Sequence, residues 1–301
     1  MLLSGTSHPI LAKEIASLLN IPLVDCEIQC FPDEEIYVEI KENVQSRQIY
    51  VIQSLGHNPN YHLMELFIIL DALKRAAASS VTVIIPYFAY ARQDRLNKSG
   101  EPITAKLLAD LLTASGIHAI ITMDLHSEQI EGFFDVPVIH LLSRKILIPF
   151  FKNLKVEDWI IAAPDKGAIK IASAFSNELE APLALIDKER QDSFHVNMRL
   201  FLGDVTGKTV LLVDDMCSTG GTLVNAAQVC MDNGAKKVVA AVGHGLFSAH
   251  AIEIIEKSPI QMIIATNSIP QDHLNFSKLK TLSIAQLIAD AIQQGHAWDL
   301  P

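Results

Sequence analysis

The clearest chemical pattern in the sequence is an acidic pair followed by a small glycine- and hydroxyl-rich turn. Asp214 and Asp215 follow an apolar strand pattern, and a helical pattern begins near Gly220. The turn contains Ser218, Thr219, Gly220, Gly221 and Thr222. Backbone N–H groups at a helix start bind anions, and glycines let a phosphate approach closely. The carboxylates suit ribose hydroxyls or a metal ion instead. The alternative is an ordinary helix N-cap beside coincidental acids.

A second polar segment carries two cations. Residues 187–192 follow an apolar strand predicted at 183–186. If this segment is extended, Lys188 and Arg190 point to the same side of it. Phosphoryl transfer needs positive charge around the transferring group, so the pair is a candidate for that chemistry. The alternative is a solvated charged loop.

Two further candidates follow strands in the first half of the chain. Arg92 and Gln93 come after a strand predicted at 81–85, where the planar guanidinium can clamp phosphate oxygens and the amide can add hydrogen bonds. His126 comes after a strand predicted at 118–123. We expect both loops near a ligand, because open α/β sheets bind ligands beyond the carboxyl ends of their strands.

The elements that must position these residues alternate along the chain, which predicts an α/β fold. Strands are predicted at 23–28, 48–53, 81–85, 118–123, 159–162, 183–186, 209–213, 237–242 and 260–265. Helices are predicted at 8–19, 61–77, 103–115, 166–179, 220–233, 249–256 and 284–293. Several strands are apolar on both faces, so they belong in parallel sheets covered by helices.

The length and the pattern predict two similar domains, each with a central parallel sheet flanked by helices. The predicted domains are 1–143 and 144–301. We expect the tail after about residue 283 to pack on either half, with the first domain as a candidate.

Composition excludes several classes of protein. Half of the 301 residues are apolar and 19% are charged, which rules out a disordered chain. No stretch of 18 apolar residues predicts a membrane span, and the N-terminus does not resemble a secretory signal. The net charge of −10 disfavours nucleic-acid binding. Four cysteines are too few for a disulfide framework, which favours reduced thiols in a cytoplasmic protein.

The acidic-pair loop resembles the ribose-phosphate loop of the type I phosphoribosyltransferase fold, and the other motifs are similar to ribose-phosphate pyrophosphokinases. The segments that carry this resemblance are 31–35, 63–66, 85–95, 102–106, 124–130, 132–137, 164–168 and 187–190. The resemblance implies transfer of the β,γ-diphosphoryl group of ATP to the C1 hydroxyl of ribose 5-phosphate, releasing AMP. It also implies Mg²⁺ as cofactor. The same resemblance places the ATP side and the oligomer contacts in the predicted domain 1–143 and the ribose 5-phosphate loop in 144–301.

The resemblance assigns roles to individual positions. It implies that Lys188 and Arg190 are catalytic and that His126 and Asp165 are metal ligands. The implied ATP-binding residues are Phe31, Asp33, Glu34, Glu35, Arg92 and Gln93. The implied ribose 5-phosphate-binding residues are Arg190, Asp214, Asp215, Ser218, Thr219, Gly220, Gly221 and Thr222. In the family, the 31–35 element reaches the active site of a neighbouring subunit, which implies a homo-oligomer with shared sites.

Two positions depart from the pattern of many family members. Glu34 stands where many have glycine, and Ser218 stands where many have an acid. The acidic-pair loop, which phosphoribosyltransferases share, and these two departures leave two other functions as alternatives. One is a phosphoribosyltransferase that consumes the activated ribose, and the other is a non-catalytic regulatory homologue of the synthetase.

Overall fold

The computed structural model describes residues 1–154, 156, 158–191 and 195–295, and only the backbone of 187–191 and 195–201. Its strands are β1 (Leu2–Ser4), β2 (Cys26–Cys30), β3 (Ile36–Ile40), β4 (Gln48–Ile52), β5 (Ser80–Ile85), β6 (Ala119–Met123), β7 (Val138–Leu141), β8 (Trp159–Ala163), β9 (Leu183–Gln191), β10 (His195–Leu202), β11 (Thr209–Cys217), β12 (Lys237–Gly245), β13 (Ile260–Thr266) and β14 (Leu279–Leu282). Its α-helices are α1 (Pro9–Leu19), α2 (Pro59–Arg75), α3 (Thr104–Ala114), α4 (Arg144–Asn153), α5 (Ile169–Leu179), α6 (Gly221–Asp232), α7 (Ala251–Glu256) and α8 (Ala285–Gly295). Short 3-10 helices lie at Glu128–Phe133 and Lys166–Ala168.

The described chain forms two compact units. The N-terminal unit contains Met1–Leu142, Ser268–Pro270 and the chain from Ser283 through α8. The C-terminal unit contains Ser143–Asn267 and Gln271–Leu282. Helix α8 contacts α1 within the N-terminal unit. The predicted domain bounds, 1–143 and 144–301, stay a prediction.

The N-terminal unit is built on a parallel sheet with strand order β1-β4-β5-β6-β7. Its central strands are apolar on both faces, as expected for a sheet that helices cover. A separate antiparallel hairpin of β2 and β3 packs against α2. The hairpin tip carries the 31–35 motif.

The C-terminal unit is built on a larger sheet with strand order β10-β9-β8-β11-β12-β13-β14. Its strands are parallel except for the β9–β10 pair. Successive residues of β11 alternate between two buried clusters, with Val210 and Leu212 in one and Leu211 and Val213 in the other. One cluster includes α6 and α7, and the other includes α4 and α5, so helices cover both faces of the sheet.

The predicted α/β fold with parallel sheets is confirmed, and the differences have local causes. The strand predicted at 23–28 is β2, which pairs in the hairpin and not in a parallel sheet. Helix α4 was not predicted, and it contains Pro149, a residue that normally interrupts helices. Strands β1, β7 and β14 have only three or four residues, too few for a clear pattern. Strands β3 and β10 were also missed; β3 alternates between half-buried and exposed residues.

Among the described residues, no helix is long and apolar enough to cross a membrane.

Candidate active site

Three neighbouring strands bring the candidate residues of the C-terminal unit to one edge of its sheet. Strand β8 lies between β9 and β11, and all three run parallel. Asp165 follows β8, Lys188 lies on β9, and Asp214 lies on β11. Because the carboxyl ends of parallel strands meet at the same edge, residues about 25 positions or more apart in sequence converge there.

The acidic pair lies inside a strand, which differs from the prediction. We predicted that the strand ends at 213, whereas β11 continues to Cys217. Asp214 and Asp215 are both half-buried, and the Asp215 N–H donates a hydrogen bond of 2.9 Å to Asp214 Oδ1. Burial, assisted by the negative charges of Asp215 and Asp165, raises the pKa of Asp214 to about 8. Such a crowded carboxylate group suits a cation or sugar hydroxyls.

The Asp214 carboxyl should make the free protein less stable as the pH rises. Its pKa is about 8 in the folded chain against an ordinary value of 3.8, so the folded state holds a proton that the unfolded chain releases between pH 4 and 8. Stability contributed by this proton is present at low pH and is lost as the pH rises through about 8. We therefore expect Asp214→Asn to be about 2 kcal/mol more stable than the native chain at pH 8. This is less than the full pKa shift would imply, because solvent screens the partly exposed carboxyl group.

Thermal unfolding without metal or substrate at pH 5 and pH 8 measures this difference. The two proteins should unfold at closer temperatures at pH 5 than at pH 8. The matched control is Asp215→Asn, because the Asp215 charge only assists the shift in the pKa of Asp214. This variant should gain less stability at pH 8 than Asp214→Asn. A variant at position 214 that is less stable than the native chain at pH 8 would contradict the assignment.

The turn after the acidic pair is held from one side by the chain segment 246–248. The Cys217 carbonyl accepts the N–H groups of Leu246 and Phe247 at 2.9 and 3.2 Å, and the Ser218 carbonyl accepts that of Ser248 at 2.9 Å. Gly220 then turns the chain into α6 with φ +79°, a conformation that favours glycine. A Cβ on Gly220 would also lie 3.1 Å from the Ile255 side chain.

The first turn of α6 has the features of an anion site. The N–H groups of a first helical turn have no partner within their own helix. Thr219 is exposed, and Ser218 and Thr222 are half-buried, so three hydroxyl-bearing residues surround this helix start. A Cβ on Gly221 would meet no described atom within 4 Å. The structure thus brings the predicted phosphate-loop residues together at one helix N-terminus.

The predicted catalytic cations lie on strand β9. The structure describes the backbone there, which is extended and pairs with β10, with Lys188 opposite Arg199. The side chains of Lys188 and Arg190 lie outside the described residues. The extended backbone that their prediction assumed is present. Their catalytic role stays a prediction.

Arg92 and Gln93 lie in the loop after β5, and only one of them is fixed by described contacts. Gln93 Oε1 accepts the Thr104 hydroxyl at 2.5 Å, and its carbonyl accepts the Ala105 N–H at 3.2 Å. Arg92 is exposed. Thr104 was not among the predicted site residues. Its place at the first position of α3, within the segment 102–106 that carries the family resemblance, was the signal that could have indicated it.

His126 lies in the loop after β6, at the same edge of the N-terminal sheet as the loop after β5 that carries Arg92. Strand β6 ends at Met123, and Asp124 has φ +41°, a left-handed conformation that turns the chain sharply. Leu125 is buried and His126 is exposed. Since β5 and β6 are adjacent and parallel, the loops that carry Arg92 and His126 leave neighbouring strand ends.

The hairpin tip presents an exposed ring and acids. Phe31 is 46% exposed, and its ring lies 6.0 Å from that of Tyr37. Asp33, Glu34 and Glu35 are all exposed. Glu34 has φ +71°, which explains why glycine suits this position and why the departure at Glu34 is strained.

The predicted metal ligands belong to different units, His126 to the N-terminal one and Asp165 to the C-terminal one. No group of three or more His, Cys, Asp or Glu side chains within the described part of the chain is arranged to hold a metal ion. Mg²⁺ characteristically uses one or two protein carboxylates together with substrate phosphates. The carboxylates around Asp214 fit a cation of this preference.

Comparison with known proteins assigns the family. Residues 1–116 match the model of the N-terminal domain of ribose phosphate pyrophosphokinase, and 196–299 match that of the phosphoribosyl synthetase-associated domain. A ribose-phosphate pyrophosphokinase of Caldanaerobacter subterraneus is 45% identical over 295 residues, 97% of this chain and 93% of that protein. The chain belongs to the ribose-phosphate pyrophosphokinase family. The resemblance read from the sequence motifs is confirmed.

Two other members of the ribose-phosphate pyrophosphokinase family extend the comparison. The enzyme of Bacillus subtilis is 42% identical over 294 residues, 97% of this chain and 93% of that protein. The crystal structure of phosphoribosylpyrophosphate synthetase from Mycobacterium smegmatis superposes with a TM-score of 0.94 at 37% identity, covering 99% of this chain and 98% of that one. The similarity spans nearly the whole chain, which favours the synthetase over the phosphoribosyltransferase alternative.

Proposed function

We propose that this chain transfers the β,γ-diphosphoryl group of ATP to the C1 hydroxyl of ribose 5-phosphate, giving 5-phosphoribosyl 1-pyrophosphate and AMP. The observation that carries the proposal is the edge of the C-terminal sheet. There, an acidic pair leads directly into a glycine- and hydroxyl-rich helix start. In this arrangement the acidic pair can bind sugar hydroxyls and the helix start can bind a sugar phosphate. The near full-length family membership supports the same reaction.

The proposed reaction is a direct displacement at phosphorus. The C1 oxygen of ribose 5-phosphate attacks the β-phosphorus and forms a new oxygen–phosphorus bond. The bond from that phosphorus to the oxygen that bridges to the α-phosphate breaks, and AMP leaves with the electron pair. The C1 hydroxyl proton is released to solvent. No covalent enzyme intermediate is required.

The residues of the C-terminal unit hold the sugar phosphate and stabilise the transferring group. The N–H groups of the first turn of α6, with the hydroxyls of Ser218, Thr219 and Thr222, bind the 5-phosphate. Asp214 and Asp215 accept hydrogen bonds from ring hydroxyls. Lys188 and Arg190 neutralise the charge that develops on the β-phosphate.

The residues of the N-terminal unit bind ATP in this proposal. Arg92 clamps phosphate oxygens, and Gln93, held by Thr104, adds a hydrogen bond. Phe31, Asp33, Glu34 and Glu35 contact the adenosine of a neighbouring subunit's ATP, so the active form is a homo-oligomer. A cytoplasmic location stays a prediction.

Mg²⁺ is the proposed cofactor, with Asp165 and His126 as its protein ligands. When bound, it offsets the negative charge of the triphosphate. Asp165 already acts as an acceptor, since its Oδ1 receives the Gly167 N–H at 2.9 Å. Imidazole is a less usual ligand for this hard cation, so the role of His126 includes contact through water.

The test is to mix purified protein with ATP, magnesium and ribose 5-phosphate and to follow nucleotides by chromatography. AMP should appear only when ribose 5-phosphate is present, and ADP should not form. Formation of ADP would indicate an ordinary kinase. Folded protein that yields no nucleotide product would indicate the non-catalytic homologue, with Glu34 and Ser218 as the first positions to revert.

A further inference from the structure

A half-buried histidine of the N-terminal unit holds the backbone immediately before His126. The Leu125 N–H donates a hydrogen bond of 3.0 Å to His140 Nε2 on the neighbouring strand β7. His140 Nδ1 lies 2.6 Å from Glu131 Oε1, on the 3-10 helix that follows His126. The His140 side chain is 10% exposed. A carboxylate, an imidazole and a backbone N–H therefore form one continuous chain of hydrogen bonds.

The partners determine the tautomer of His140. A backbone N–H can only donate, so Nε2 must accept and carries no proton. In the neutral ring the proton is then on Nδ1, where it donates to the Glu131 carboxylate. Each member of the chain has a single compatible role, so the arrangement is directional.

Both ends of this chain are anchored in the fold. Ile130, beside Glu131, is fully buried, and Phe134 packs edge-on against Phe88 with ring centroids 5.7 Å apart. The Asp124 N–H donates to the Leu141 carbonyl at 3.0 Å, next to His140 on β7. Leu125 is thus held by its buried side chain and by its N–H, at the point where Asp124 turns the chain.

We propose that His140, oriented by Glu131, is a positioning residue that sets the direction in which His126 leaves the sheet edge. The proposal rests on the proposed function, in which His126 acts at the ATP side of the reaction. His140 itself contacts neither substrate. It acts by giving the Leu125 N–H a hydrogen-bond acceptor on β7, which restricts rotation of the peptide just before His126.

The test compares His140→Leu with the native chain, which must first show AMP formation. Misplacement of a reacting-site group by about 1 Å costs up to about 100-fold, so we expect kcat to fall about 30-fold. The KM for ribose 5-phosphate should stay within about threefold, because that site belongs to the other unit. Hydrogen exchange of a peptide that covers 124–127, measured without metal or substrate, should be about tenfold faster.

Two further variants separate positioning from general destabilisation. Glu131→Gln keeps an acceptor for Nδ1–H and should retain kcat within about threefold, whereas Glu131→Leu should lose about as much as His140→Leu. His250→Leu removes a surface histidine that lies 3.5 Å from Glu253 and should change neither kcat nor exchange at 124–127.

The same measurements can overturn the proposal. It fails if His140→Leu keeps kcat within about twofold of native, or if exchange at 124–127 is unchanged. It also fails if both KM values and kcat deteriorate together with the melting temperature, as a general loss of folded protein would produce. If the native chain forms no AMP, the proposed function fails, whereas the exchange measurement still decides whether His140 holds the loop.

Discussion

Replacing Lys188 by alanine should lower kcat by about 10³-fold while the dissociation constant for ribose 5-phosphate changes by less than about threefold. The lysine lies on β9, beside the strand that leads to Asp165, and is proposed to neutralise charge that develops only as AMP departs. An interaction made in the transition state and not in the ground state affects turnover more than binding. Steady-state kinetics and equilibrium titration of ribose 5-phosphate measure the two quantities.

The matched control for this prediction is Lys208→Ala. Lys208 is a surface lysine of the same unit, 3.3 Å from Asp158, and exposed pairs contribute little. Its removal should leave kcat within about twofold. An unchanged kcat in Lys188→Ala would remove this lysine from the mechanism. A loss of ribose 5-phosphate binding equal to the loss of kcat would instead make it a binding residue.

Gly221→Val should weaken ribose 5-phosphate binding about 30-fold or more without lowering the melting temperature. A Cβ at Gly221 would meet no described atom within 4 Å, and its φ is not in the left-handed region, so we expect the free protein to accept valine there. The added methyl groups would stand at the helix start, where the phosphate is proposed to approach the backbone. Charge-assisted hydrogen bonds to the phosphate would then be lengthened or lost.

Two variants bracket this result. Gln228→Val places the same side chain on an exposed position of α6 and should leave ribose 5-phosphate binding unchanged. Gly220→Ala should behave in the opposite way and lower stability by about 1–2 kcal/mol, because φ is +79° and Ile255 is only 3.1 Å from the new Cβ. Normal ribose 5-phosphate binding in Gly221→Val would place the phosphate elsewhere.

Much of the fold and of the candidate site was predictable because the relevant signals are local. Strand β5 and the part of β11 before Asp214 are mainly apolar runs, which are typical of covered parallel strands. The glycines and hydroxyls of 218–222 are adjacent in sequence, so their arrangement at a helix start needs no long-range information. The motif resemblance identified the family for the same reason.

Other features could not be predicted because they depend on neighbours that are distant in sequence. The strand order β9-β8-β11 brings Asp165 close enough for its charge to raise the pKa of Asp214, about 50 residues further along the chain. The extension of β11 past residue 213 follows from its pairing with β12, where Met216 lies opposite His244. The amino-acid composition around Asp165 and Asp214 does not indicate that these residues are neighbours or that β11 pairs with β12 beyond residue 213.

The sequence by itself determined the α/β class and the family and indicated the residues proposed for the phosphate loop, since periodicity and short motifs are properties of contiguous residues. Only the tertiary structure decided which strand ends are neighbours, that Glu34 is left-handed, and that Glu131 and His140 hold Leu125. The physical reason is that desolvation, charge crowding and hydrogen bonds act over a few ångströms in space. The connections between strands decide which residues come within those distances, and local sequence patterns do not specify these connections.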